Sequence, residues 1–389
     1  MMRIKIPDVT PHPVRPERTL RRRSPRRVAA LAAAAVTAVA AAAAMTAPAA
    51  AGTISAAATV RPAPSWHIVK QVRTGPFGGF TAITAAGKTG GWAFEGYTRP
   101  SAWIRHGTAW TQVRFPGQAG EEVVATAATS PADVWAFTSG GALSRALRWD
   151  GRTWTVRRTF AMAIGGAVVL GPGDVWVFGE PYQPGAGLGT WHYNGRTWSR
   201  VASGHGLAGG SALTATSIWA FGGTSVAHWN GHTWSRTSVA RLLPPRQQLN
   251  FPTVTGIYAQ SRNSVYAIGS GNAQDEGGPT VLLHYNGRSW AKLTGGYYGT
   301  GTQPVQQVCS DGHAGLWIPM PGTDGRPSYL LHYVGGHLTQ APLPVPASQI
   351  AVESVALIPG TTSVLAAGNT HAPGTPGSHV HAVILQYGS

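Results

Sequence analysis

The sequence predicts an all-β fold: a seven-bladed β-propeller of four-stranded antiparallel blades, the last blade completed by the N-terminal strand. Three observations lead there. An aromatic landmark recurs seven times along the chain, no segment after residue 51 carries a helical period, and the final unit stops one strand short while a matching strand lies near the start.

The landmark closes the pattern [Asp/Ser/Gly]-[Val/Ile/Leu]-aromatic. It falls at Trp92, Trp135, Trp176, Trp219, Tyr266 and Trp317, with Leu365 standing in for the seventh. The gaps are 43, 41, 43, 47, 51 and 48 residues, the period expected of propeller blades. A second landmark follows each one, an apolar strand ending in a glycine turn: AWIRHG, ALRWDG, TWHYNG, VAHWNG, LLHYNG, LLHYVG and VILQYG. Trp110, Trp154, Trp198, Trp234 and Trp290 come next, with Leu338 as a sixth. Before each unit lies a run of small and β-branched residues such as FTAITAAG.

Each unit therefore reads as four strands, A to D. Small residues suit an innermost strand A, where seven strands crowd around an axis. Trp and Tyr in B, C and D fill the space between wedge-shaped sheets, the packing of a propeller. The stretch 174–201 shows the unit most clearly: DVWVFG, GTWHY, an Asn194-Gly195 turn expected to take positive φ, and RTWSRV. The blades fall at about 78–115, 121–160, 163–203, 208–240, 252–294, 304–344 and 349–388. The seventh lacks a strand D, and SWHIVK within 65–72 resembles one. That segment is expected to complete the last blade and remove the exposed edge of an open array.

The bulk numbers agree with this reading. Of 389 residues, 11% are charged and 51 are glycine, which suits many tight turns. Fifteen tryptophans supply a large apolar core. Cys309 is the single cysteine, so no internal disulfide forms.

Residues 1–51 read as a signal peptide: a basic RRRSPRR, an uncharged alanine-rich run over 28–44, and an A-x-A site. The cleavage site is expected between Ala51 and Ala58, and 52–64 as a flexible linker. An alanine run of this length is short and weakly apolar for a membrane span. The leader holds 9 Lys+Arg and 2 Asp+Glu, which leaves 21 basic and 12 acidic residues and a net charge of +9 in place of +16. The protein is expected to be secreted, extracellular or wall-associated, and a monomer with no membrane span after signal removal. A scattered cationic surface on an exported protein suits a polysaccharide or cell-surface protein and excludes nucleic acid as a partner.

DVWAF and DVWVFG followed by HWNGHTW and HYNGRTW resemble the repeats of secreted bacterial propellers of the kelch and galactose-oxidase-like type. The resemblance covers about residues 65–389 and implies architecture alone. The DGRTW turn is similar to the Asp-box of sialidase-type propellers, with one residue fewer between Asp150 and Trp154, and in those families the box is structural.

Topology sorts the candidate residues. Strand A starts, and strand D ends, on the face termed the top, which also carries the B-to-C loops. Asp133, Asp150, Asp174, Asn194, Asn230 and Asn286 are then bottom-turn residues that shape turns. His192, His228, His284 and His332 recur in strand C of four blades and read as packing residues. The ligand-binding candidates are the top-face residues Arg73, Glu95, Glu121, Glu122, Glu180, His205, Arg246, Asp275, Tyr297 and Tyr298. Loops of this kind are where a rigid scaffold presents its contacts. No residue stands out as catalytic, no Cys/His spacing suits a metal, and no cofactor is implied. The Tyr–Cys chemistry of galactose oxidase finds no matching motif around Cys309. The sequence thus points to a non-enzymatic binding protein that recognises a glycan or protein. The alternatives are a carbohydrate-active hydrolase or lyase using top-face carboxylates, and a structural docking scaffold.

Overall fold

The computed structural model describes residues 63–388, except 76–77, 97–98, 141–142, 162, 180–188, 202–205, 246–251, 272–277, 300–306, 321–327 and 372–378. At 278, 294–299 and 379–380 it describes the chain path alone. The leader and most of the linker lie outside the described residues, as do Glu180, His205, Arg246 and Asp275.

Twenty-eight strands form seven four-stranded sheets arranged in a ring. The first blade comprises β2 (Phe80–Ala86), β3 (Gly90–Glu95), β4 (Ser101–His106) and β5 (Ala109–Val113). The second runs from β6 (Glu122–Ser130) through β7 (Asp133–Gly140) and β8 (Leu143–Trp149) to β9 (Trp154–Phe160). The third contains β10 (Ile164–Gly171) to β13 (Trp198–Val201), the fourth β14 (Gly209–Thr214) to β17 (Trp234–Ser238). The fifth is β18 (Thr253–Ser261) to β21 (Trp290–Gly299), and the sixth β22 (Cys309–Ser310) to β25 (His337–Gln340). In the seventh the order is β26 (Ile350–Leu357), β27 (Val364–His371), β28 (His379–Tyr387) and then β1 (Trp66–Arg73). Antiparallel pairing runs from Trp66 opposite Tyr387 to Arg73 opposite His381. The N-terminal strand is therefore strand D of blade seven, as the sequence requires.

The aromatic repeat is the cement between blades. Five of the landmarks on strand B, Trp92, Trp135, Trp176, Trp219 and Trp317, pack against the last aromatic of strand C and the first of strand D in the following blade, and Tyr266 packs against Tyr333. Trp92 meets Trp149 and Trp154 at 4.9 and 5.0 Å between ring centroids, and Trp176 meets Trp229 and Trp234 at 5.1 and 5.8 Å. Trp317 meets Tyr387 at 4.9 Å and Trp66 at 5.1 Å, so the closing strand contributes its tryptophan to the same pattern. Edge-to-face pairs of this kind add about 0.5–1.5 kcal/mol beyond their area.

The strand-C histidines complete the blades from within. His192, His228, His284 and His332 lie opposite Trp176, Trp219, Tyr266 and Trp317 in register. They stack on those rings at 4.0 to 4.6 Å. Each imidazole is hydrogen-bonded to a bottom-turn partner: Asp174 at 2.9 Å, Ser217 at 3.2 Å, Ser264 at 3.0 Å and Asp311 at 3.1 Å. Blade two puts Arg148 in that place, bonded to Asp133 at 2.7 Å. Blade six has Gly315 where the others carry the acceptor. A Cβ there would lie 2.2 Å from the Asp311 carboxylate, which occupies the space instead.

The C-to-D turns differ from expectation. Pairing ends at Tyr193 and resumes at Trp198, so the turn spans four residues rather than Asn194-Gly195 alone. Asn194 Oδ1 accepts the N–H groups of Arg196 and Thr197, and Gly195 takes φ 91°. Asp150, Asn230 and Asn286 build the same turn. An Asx oxygen that receives two backbone donors makes a compact loop without a two-residue hairpin.

Candidate functional site

The inner strands line an axial channel, and its residues differ from blade to blade. Along β2, β6, β10, β18 and β26 the register skips one residue, at Thr81, Val124, Gly165, Thr255 and Glu353. A bulge at the start of strand A turns the alternation of side chains over and re-aims the residue it carries. In blade seven that residue is Glu353, the one charged residue of the strand IAVESVAL.

Glu353 and Glu122 come from blades seven and two and flank the inner strand of blade one. A Cβ on Gly96 would touch both Thr81 and the Glu122 side chain, which fixes Glu122 beside the bulge of blade one. Burial pushes the Glu122 carboxyl up to about 7. Burial, and then the Glu122 charge, push Glu353 up to about 7 as well. Both shifts favour the neutral, protonated form of the carboxyl, and burial is the larger cause in each. Neither makes a side-chain hydrogen bond among the described residues.

The other described candidates differ in their commitments. Glu95 ends β3, half-buried, and accepts the Ser101 hydroxyl at 3.0 Å. Arg73 ends β1 and is exposed. Glu121 is buried in an ion pair: its Oε1 accepts Arg145 Nε at 2.6 Å, and its Oε2 accepts the Gln118 N–H at 2.9 Å as well as Arg145 Nη2. Arg145 also donates to the Pro116 carbonyl at 2.8 Å, so this group holds the D-to-A connection together. Tyr297 and Tyr298, expected in a loop, belong to β21, opposite Thr280 and Pro279. The strand runs on to Gly299, past residue 294 where the repeat is expected to end. Glu180, His205, Arg246 and Asp275 lie outside the described residues. Glu353 was missed. Its signal in the sequence is a lone carboxylate inside the run IAVESVAL, which only the bulge turns into a channel residue.

Below the carboxyl pair the channel is crossed by Gln307. Its Nε2 donates to the Thr126 carbonyl of blade two at 3.2 Å, and its Oε1 accepts from the Ser354 hydroxyl of blade seven. Ser354 Oγ in turn accepts the Ile83 N–H of blade one at 3.0 Å. A cavity of about 60 Å³ remains beside Gln307, walled by Thr126, Gly165, Gly166, Gly209, Gly210 and Ile257 among others. It has room for a few waters and none for a sugar or peptide. Cys309 is buried within β22, and burial raises its thiol far above the usual range. It is an inert packing group. Among the described residues no group of three His, Cys, Asp or Glu could hold a metal ion, and no helix is long and apolar enough to cross a membrane.

The sequence matches no family model and no curated protein. Solved propellers match the fold. The structure described as "YCF48 bound to D1 peptide" has a TM-score of 0.53 at 11% identity, covering 85% of this chain and 98% of that one. YCF48 from Cyanidioschyzon merolae has a TM-score of 0.52 at 13% identity, over 83% and 99%. The RRP9 WD40 repeats have a TM-score of 0.54 at 12% identity, over 84% and 99%. These likenesses establish the seven-bladed architecture and stand with YCF48 and WD40 propellers rather than with the kelch type specifically.

Proposed function

We propose that this protein is a non-enzymatic binding protein that seats a polypeptide segment across the mouth of its channel on the top face. The observation that carries this is the Glu122–Glu353 pair. Two poorly solvated carboxyls, brought together from separate blades and left without hydrogen-bond partners among the described residues, present acceptors to whatever covers them. By contrast, the described bottom-face carboxylates of Asp133, Asp174 and Asp311 are taken up by strand-C side chains. The YCF48 structure with a bound D1 peptide lends support from a protein of like fold.

The same pair favours a second reading, a carbohydrate-active hydrolase, because a carboxyl raised toward neutrality can act as a general acid. A glycan ligand held without turnover is the third outcome. Kinship with kelch and galactose-oxidase-like propellers belongs to this proposal and is supported by the DVWVFG and HYNGRTW repeats. So does export to the cell surface or medium, supported by the leader in 1–51.

The test is a peptide array and a glycan array probed with the mature chain and with the Glu122→Gln/Glu353→Gln variant. Peptide binding that weakens about tenfold or more in the variant supports the proposal. Release of reducing ends replaces it with the hydrolase, and glycan binding without release replaces the peptide with a glycan. Peptide binding indifferent to both substitutions overturns the site.

A further inference from the structure

The bottom face, opposite the channel mouth, carries charge that the fold does not use. The C-to-D turns of four consecutive blades put an exposed basic or imidazole side chain in the same place: Arg152, Arg196, His232 and Arg288. Arg262, in the A-to-B turn of blade five, is exposed as well. A Cβ on Gly287 would touch Asn263 at 2.8 Å, so the turns bearing Arg262 and Arg288 abut. Lys88 extends the series into blade one.

Among the described residues these side chains have no hydrogen-bond or ion-pair partner. Arg152, Arg196 and Arg288 enter the turns only through their backbone N–H groups. The arginines of the outer strand of blade two are otherwise engaged. Arg157 bonds the Tyr193 hydroxyl at 3.1 Å, and Arg158 lies over Trp191 at 5.1 Å. The acids of the bottom face are mostly hydrogen-bonded or withdrawn. Asp133 faces Arg148, Asp174 faces His192, and Asp311 is buried against His332. In blades three to five the turn acceptor is asparagine, which performs the same Asx role as Asp150 without its charge. Asp150 is the one exposed carboxylate of the described turns, and it stays ionised because the Thr153 and Arg152 N–H groups bond it.

We infer that this arc of basic turns is a docking surface for a linear anionic polysaccharide. Guanidinium groups repeated from blade to blade fit a polymer whose sulfates or carboxylates also repeat, and each pairing releases a counterion. The attraction is spread along the arc and needs no pocket. This surface is separate from the channel mouth, so the protein can hold a polymer on one face and its other ligand on the opposite one.

Affinity of the mature chain for dextran sulfate and for polygalacturonate, with neutral dextran as control, tests this across a salt series. The two polymers distinguish sulfate from carboxylate as the preferred group. The variant Arg152→Gln/Arg196→Gln/Arg262→Gln/Arg288→Gln should bind about tenfold or more weakly, and its log K against log salt slope should fall by about three. Replacing the same four residues by lysine should preserve most of the binding, and an unchanged thermal melt checks that each variant folds. Undiminished binding by the glutamine variant overturns the inference. So does an equal loss in Arg157→Gln/Arg158→Gln, or binding of duplex DNA as tight as that of either polymer. Glu122→Gln/Glu353→Gln leaves this binding intact, so failure of the top-face proposal and failure of this one are read separately.

Discussion

Six seams between blades and the seventh seam are built differently. From blade one through to blade seven, each strand-B landmark meets one or two large side chains of the next blade, most of them aromatic. At the seam from blade seven back to blade one the landmark is Leu365, packed with Trp110. The place held elsewhere by Trp149, Tyr193, Trp229, Tyr285, Tyr333 and Tyr387 is taken by Arg105, and that of the strand-C histidines by Gln386. Arg105 donates to Gln386 Oε1 at 3.4 Å and to the Lys88 carbonyl at 3.5 Å, both long for hydrogen bonds. The ring therefore has six seams where the strand-B landmark is aromatic and a seventh where an aliphatic landmark and a buried Arg105–Gln386 contact replace it. The Glu122–Glu353 pair flanks that seam at the channel. Regular packing and irregular chemistry are divided between different parts of the ring, as expected where a repeat supplies stability and its departures supply function.

The largest effect comes from opening the ring beside this seam. Deleting 60–72 removes β1, exposes the whole edge of β28 and takes Trp66 from its contacts with Trp317 and Tyr387. A buried tryptophan alone is worth about 3–5 kcal/mol, and the lost ladder adds to it. Cooperative thermal unfolding is expected to disappear, followed by circular dichroism. An unchanged melt would show that the seam from blade seven to blade one holds the ring shut without the closing strand.

What could be read in the sequence follows the same division. The seven units, their strand order and the closing strand were legible because Trp92, Trp135, Trp176 and their counterparts are both the repeat and the packing between blades. A residue that packs in the same way six times is written six times. The channel was not legible. Its register is set by bulges at Thr81, Val124, Gly165, Thr255 and Glu353, five positions with four residue types and no shared motif. A strand reader that assumes strict alternation puts Glu353 on the wrong face. Glu121 and Glu122 are neighbours that looked equivalent, yet one is locked to Arg145 and the other lies beside Gly96 of blade one. That difference depends on contacts with residues far along the chain.

A middle-sized effect should appear with pH. The Glu353 carboxyl, ordinarily near 4.5, titrates in the folded state at about 7. A raised folded value means that the native state holds the proton more tightly than the unfolded chain does. The stabilisation is fully present below about 4.5 and is lost as pH rises through about 7. Glu353→Gln keeps the neutral shape and removes the titration. At pH 8 the variant should be more stable than the parent by about 1–3 kcal/mol, since a tenfold change in proton affinity is worth about 1.4 kcal/mol. Near pH 4 the two should melt together. Parallel melting curves at both pH values would place Glu353 in ordinary solvent and detach it from the seam.

The smallest effect tests whether the odd seam is a weakness of packing. Arg105 is buried at 6% exposure, and burial lowers its affinity for the proton. The neutral Gln386 and a backbone carbonyl are its hydrogen-bond partners among the described residues. A desolvated cation with neutral partners at long distance gives back little of its hydration. An apolar side chain would join Leu365, Trp110, Ile83 and Ile384, which already pack there. Arg105→Leu should therefore be neutral or stabilising by about 0.5–1 kcal/mol, although it deletes two hydrogen bonds. Leu147→Arg, which would bury a cation in the aromatic seam between blades one and two, should be severely destabilising. Comparing urea midpoints of the two variants separates the seams directly. If Arg105→Leu loses about 2 kcal/mol or more, the guanidinium is an organising contact of the seam, and polar bonding rather than apolar packing joins blade seven to blade one.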